Sequence, residues 1–158
     1  KRKDNRFYAM VSPVLVGKDS PLYSVNGVFN GIFVHGNVLG DAMFYGSGAG
    51  KLPTASAVVA DVVDCAKHLN KTVMMSWSSH GLDMVDVKDV QHRFFVRIKG
   101  NQETGLQEAE AVLGKGKLVL LPELEDEFGF ITEKMSEGAF DEKASKLKNM
   151  VSRIRIKA

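Results

Sequence analysis

One cysteine (Cys65), four prolines and one tryptophan are all that these 158 residues carry of those types. A lone cysteine makes no internal disulfide, which excludes a disulfide-stapled scaffold and points to a reduced, cytoplasmic setting. Charge of one sign is lacking as well. Twenty-one Lys and Arg stand against 19 Asp and Glu, a formal +2, so the basic footprint of a nucleic-acid binder is missing. No apolar run approaches the ~18 residues that would span a membrane. Lys1 to Arg6 is charged or polar, with no hydrophobic stretch and cleavage site after it, unlike a signal peptide. Zinc spacing is absent too: His35, His68, His80 and His92 form no pair roughly three to five residues apart. Asp64, Cys65 and His68 lie within one helical turn, but no second cluster completes a site, so no metal is expected. The histidines read as surface or packing residues, and Cys65 as a buried or half-buried thiol. What is present is ordinary for a folded protein, 44% apolar and 25% charged. The chain opens without methionine just ahead of a strand-like stretch, and reads as a piece of something longer.

Phe7 to Val16 is apolar but interrupted by Pro13, which predicts an edge or bulged strand. Apolar runs around Gly36-Asn37 predict a hairpin of Phe29–His35 with Val38–Phe44 through a two-residue turn. Ala55, Val58, Val59, Val62, Val63, Ala66 and Leu69 recur at helical spacing and form one stripe over four turns. Asn70 to Gln91 reads as a connection with a short strand near Met84–Val87. After it come a strand at His92–Ile98, a helix through Leu106, Ala109, Val112 and Leu113, and strands at Leu118–Leu121 and Gly129–Met135. A helix through Phe140, Ala144, Leu147 and Val151 and a strand at Arg153–Ile156 close the chain. The order β-α-β-β-α-β is that of a ferredoxin-like unit.

Between the hairpin and the first helix runs Gly46-Ser47-Gly48-Ala49-Gly50-Lys51-Leu52-Pro53-Thr54. Glycines let backbone approach a ligand, and a helix N-terminus offers free N–H groups to an anion. The phosphate-loop pattern fails, because Tyr45 stands where its first glycine belongs and Leu52 where its hydroxyl belongs. The dinucleotide fingerprint fails too, since Lys51 and Pro53 occupy its last glycine in either register. On local grounds a structural turn and a cofactor-facing loop both stand. The acidic run Glu123, Glu125, Asp126 and Glu127 reads as a solvated turn.

Ser20 to Asn30, Met43 to Gly50 and Leu52 to Asp61 together resemble homoserine dehydrogenase across residues 11–70. The segment after them resembles the ACT domain that bacterial members carry at the C-terminus. The resemblance implies an α+β chain: 1–72, the end of a mixed-sheet catalytic and dimerisation domain with its return helix; 73–91, a linker; 92–158, a ferredoxin-like ACT domain. It implies a parent enzyme that interconverts homoserine and aspartate 4-semialdehyde with NAD or NADP, in the biosynthesis of threonine, methionine and isoleucine. The dinucleotide fingerprint and catalytic groups of the family lie upstream of the matched region, so this chain carries no catalytic residue and is expected to be inactive alone. By the same resemblance Gly50 lies beside the nicotinamide cofactor, with Gly48, Ala49 and Thr54 as its neighbours in the site. A homodimer, a small-molecule substrate and an amino-acid effector are the partners it implies, with no nucleic acid or membrane. Where effector-binding ACT domains carry Asp-x-Pro-Gly-Val/Leu, this sequence has Gln102-Glu103-Thr104-Gly105-Leu106, which lacks the Asp and Pro. The alternative is a stand-alone ACT-type binding module.

Overall fold

A computed structural model describes residues 2–3 (backbone only), 5–72 and 74–157. The stretch around Pro13 does not form one strand. It gives β1 (Arg2–Lys3), β2 (Arg6–Phe7) and β3 (Val14–Leu15). Residues 8–13 lie outside any strand, and Pro13 brings no N–H with which to extend β3. The chain divides into two units, residues 16–79 and residues 1–15 with 80–158. Strand pairing places 1–15 with the C-terminal part: β2 pairs with the strand Asp83–Met84 and β3 with the strand Met150–Ile156.

In the first unit a hairpin joins β4 (Phe29–Gly36) to β5 (Gly40–Ser47). Its turn corrects the expected two-residue one. The last pair is Gly36 with Gly40, leaving Asn37–Leu39 as a three-residue loop, and Gly40 takes the positive φ of +76°. Helix α1 (Lys51–Lys67) follows. It forms where the apolar period predicts, but ends before Leu69, and among the described residues nothing buries its stripe. Val58, Val59, Val62 and Val63 stand 45–62% exposed. Cys65 is exposed as well, against the buried or half-buried thiol expected.

The second unit holds β6 (Asp83–Met84), β7 (Gln91–Lys99), α2 (Gln102–Leu113), β8 (Gly116–Leu120), β9 (Glu127–Thr132), β10 (Met135–Ser136), α3 (Glu137–Ala144) and β11 (Met150–Ile156). The sheet runs β3-β11-β7-β9-β8, with β10 beside β7. Along β11, β7, β9 and β8 each strand is antiparallel to its neighbour, and β3 joins β11 in parallel. Phe94, Val96 and Ile98 of β7 and Phe128 and Phe130 of β9 are fully buried, because alternate residues share one face. Against them lie Ala109 and Leu113 of α2 and Phe140 and Ala144 of α3. Gly114, at φ +92°, ends α2 where the sequence places its stop. Val151, expected on the last helix, belongs instead to β11, because α3 stops at Ala144 and the chain turns through Leu147.

One charge lies inside this packing. Glu137, 3% exposed, accepts from Arg155 Nε at 2.8 Å and pairs with Arg153 Nη2 at 3.1 Å. Arg153 also pairs with Asp141 at 2.8 Å and lies over the Phe140 ring, 5.0 Å from its centroid. The hydrogen bond to Glu137 holds the Arg155 guanidinium above its usual range, against the opposing effect of burial. Tyr8, from the N-terminal segment, reaches His92 at 3.4 Å, and burial raises its hydroxyl above the ordinary tyrosine value.

Candidate functional site

The glycine loop sits where a strand must become a helix. Strand β5 ends at Ser47, Gly48 and Ala49 make the passage, and Gly50 is the N-cap of α1. Each glycine has its own reason. A Cβ on Gly48 would lie 2.5 Å from the Asn30 side-chain nitrogen, so that amide would have to turn aside. Gly50 has φ +128° and ψ 155°, a conformation that a side chain disfavours whatever surrounds it. Its carbonyl takes the first helical bond, from Thr54 N at 3.1 Å.

No side chain caps this helix start. The N–H groups of Lys51 and Leu52 therefore have no partner within the helix, and Pro53 has none to offer. Gly48, Ala49, Gly50 and Thr54 are all exposed. Thr54 lies one turn beyond Gly50, so its hydroxyl belongs to the same face of the helix start. The four expected residues are thus close neighbours on one open surface. Chemically the loop offers backbone donors, the positive end of a dipole, one hydroxyl and room for a flat group against bare backbone.

The other residues singled out earlier are placed apart from this loop in sequence and role. His35 pairs with Asp41 across the hairpin, and His68 Nδ1 lies 2.9 Å from the Asp64 carbonyl at the end of α1. Among the described residues no group of three or more His, Cys, Asp or Glu side chains could hold a metal ion. Glu123, Glu125 and Asp126 occupy an exposed turn, while Glu127 pairs with Arg97 at 2.7 Å. The stretch Gln102–Leu106, expected as a loop, is the first turn of α2. Its N-cap is Asn101, whose Oδ1 accepts from Glu103 N at 2.8 Å, a capping signal carried by the residue just before the Gln102–Leu106 stretch. Gly105 is required there because a Cβ would meet the Phe128 ring at 2.6 Å. Gly100, Asn101, Gln102 and Glu103 form one wall of a cleft of about 570 Å³ whose other wall is the β8–β9 turn.

Comparison with known proteins finds matches that include this loop. A family model described as homoserine dehydrogenase matches residues 3–63, which include the whole glycine loop. The homoserine dehydrogenase of Synechocystis is 41% identical over 95 residues, 55% of this chain and 22% of the relative. That of Corynebacterium glutamicum is 53% identical over 60 residues, 38% of this chain and 14% of the relative. Among solved structures, a homoserine dehydrogenase from Thiobacillus denitrificans matches with a TM-score of 0.78 at 21% identity, covering 99% of this chain and 40% of that one. One from S. aureus matches with a TM-score of 0.65 at 26% identity, covering 92% and 36%. The fold of the chain is therefore that of the corresponding part of these enzymes. This chain spans 22–26% of the length of the first three curated relatives it matches. Residues 3–63 match the homoserine dehydrogenase family model, and the chain is similar to one part of these enzymes.

Proposed function

We propose that this chain works as part of an NAD- or NADP-dependent dehydrogenase that interconverts L-homoserine and L-aspartate 4-semialdehyde, in threonine, methionine and isoleucine biosynthesis. The observation that carries the reading is the open loop Gly48-Ala49-Gly50 at the uncapped start of α1, inside the segment that matches the family. Its chemistry fits a nicotinamide cofactor. Two positions lack a Cβ, free N–H groups face a polar acceptor, and Thr54 adds a hydroxyl. The cofactor supplies the hydride acceptor; Gly48, Ala49, Gly50 and Thr54 supply part of the surface that holds and orients it. The proton-transfer groups come from the rest of the enzyme. The apolar stripe of α1 is covered there by the cofactor domain, which accounts for its exposure in this chain. Residues 92–158 serve as an ACT-type regulatory domain in a homodimer, with an amino acid as candidate effector.

The test joins this chain to the upstream part of the Synechocystis enzyme, in place of the segment it matches, and follows homoserine-dependent reduction of NAD and NADP. The joined protein turns over, and the chain alone does not. Gly50→Val is a poor probe, since φ +128° strains any side chain there. Ala49 has no such constraint. Ala49→Leu in the joined protein raises the cofactor KM about tenfold, equivalent to about 1.4 kcal/mol, with the fold retained by circular dichroism. Turnover by the chain alone, or an unchanged cofactor KM and kcat in a folded Ala49→Leu protein, overturns the reading.

A further inference from the structure

The sheet of the second unit has a helix-free face, and one end of it is strongly positive. The register sets Lys117 of β8 beside Ile131 of β9, and Ile131 beside Phe95 of β7. Arg93, two residues before Phe95, shares that face. Lys115 and Lys134 join them from the turns that precede β8 and follow β9. Together with Glu133 they line an open cleft of about 550 Å³, whose edge at Gly116 carries no side chain. Four cations against one carboxylate leave a formal +3.

Several other cations of this unit are neutralised locally. Arg97, Arg153, Arg155 and Lys146 each pair with a carboxylate. Among the described residues no ion pair involves Arg93, Lys115, Lys117 or Lys134. Arg93 is anchored, with Nε donating to the Thr132 carbonyl at 3.5 Å, and its terminal Nη groups remain available. Cations held within a Debye length, about 10 Å at 0.1 M salt, repel one another, and an anion between them relieves that repulsion. A guanidinium fork beside ammonium groups is the donor set that phosphate oxygens favour.

We propose that this cleft binds a small diphosphate-bearing anion. Lys117 and Arg93 stand two strands apart and two residues along, about 12 Å between backbones, so two linked phosphates engage both sides where one phosphate reaches a single side. An extended polyanion fits poorly. The opposite end of the same strands carries Glu103, Glu125 and Asp126 around the other cleft, and the whole chain is only +2.

The test is calorimetry on the full chain with inorganic pyrophosphate, and in parallel with ADP, at about 50 mM salt, where screening is weak. Saturable binding is expected with Kd on the order of 0.1 mM, weakening as salt rises. Lys115→Ala with Lys117→Ala weakens it at least about tenfold. Lys99→Ala, at the far end of β7, leaves it unchanged. Both lysines are exposed, so the fold survives their removal, and circular dichroism checks that. Equal affinity for pyrophosphate and ADP assigns recognition to the phosphates; tighter ADP binding extends the ligand to a nucleoside diphosphate. No saturable binding of either probe below about 5 mM, or binding unchanged by the double substitution, overturns the proposal.

Discussion

Glu137 is a charged side chain buried within the second unit, and its partners decide what removing it costs. It accepts from two guanidinium groups, and one of those is stacked on Phe140 while it pairs with Asp141. Replacing it leaves two half-buried cations facing a neutral group, and breaking a buried pair from one side costs about 3–5 kcal/mol. Glu137→Gln is therefore expected to lower stability by about 3 kcal/mol in urea titrations followed by far-UV circular dichroism. Glu137→Met combined with Arg155→Met recovers much of that, because the desolvation cost leaves with the charges. Two glycines give a second test at this scale. A Cβ on Gly116 would meet the Ile131 carbonyl oxygen at 2.5 Å and the Phe130 ring at 2.3 Å, and a backbone oxygen in a ladder does not move aside. A Cβ on Gly129 would meet the half-buried Phe95 ring at 2.4 Å, and that ring can swing outward. Gly116→Ala should cost about 2–3 kcal/mol and Gly129→Ala clearly less, measured by the same titration. Equal costs would show that the Phe95 ring is fixed.

At the scale of elements, what was legible in the sequence is what repeats. The alternation of Phe94, Val96 and Ile98 predicts the buried face of β7, and Leu106, Ala109 and Leu113 with Gly114 predict α2 and its end. Turn chemistry was less legible. Gly36-Asn37 and Gly40 both offer positive φ, and the cross-strand register, set by pairing such as Ile32 with Phe44, decides for Gly40. The β3–β11 pairing joins residues about as far apart as this chain allows, and two-residue strands carry no periodic signal. The glycine loop was legible as a strand-to-helix passage, whereas its function came only with the family resemblance. Helix α1 shows the boundary most sharply: its period gives the helix, but periodicity does not say what covers the stripe. That has a measurable consequence. Val59→Ser with Val62→Ser should change the stability of this chain by less than about 0.5 kcal/mol, as exposed positions do. The same pair should reduce fluorescence of a dye that binds apolar surface. A loss of about 2 kcal/mol or more would mean the stripe is already buried in solution.

Across the whole molecule, order follows burial, and burial is uneven. Among the described residues, every fully buried large side chain belongs to residues 94–140, on β7, α2, β9 and α3. In residues 16–79 the hairpin is a single pair of strands, and Ile32, Phe44 and Val34 on one of its faces are 42–68% exposed. A lone two-stranded hairpin is at best marginally stable in water, and a helix with no covered face has little beyond its own propensity. Opening free energies should therefore span nearly the full range within one chain. Native-state hydrogen exchange checks this directly. Amides of Phe94–Ile98 and Phe128–Thr132 should exchange only on global opening of their unit, while those of Ile32–Val34 and Val58–Val63 exchange at least about 100-fold faster. If the proposed cofactor domain covers the stripe of α1 in the joined protein described above, the amides of Val58–Val63 should slow there by a comparable factor. Slow exchange of β4, β5 and α1 in the chain alone would instead mean that copies of it already cover these faces for one another, and the protection would then rise with protein concentration.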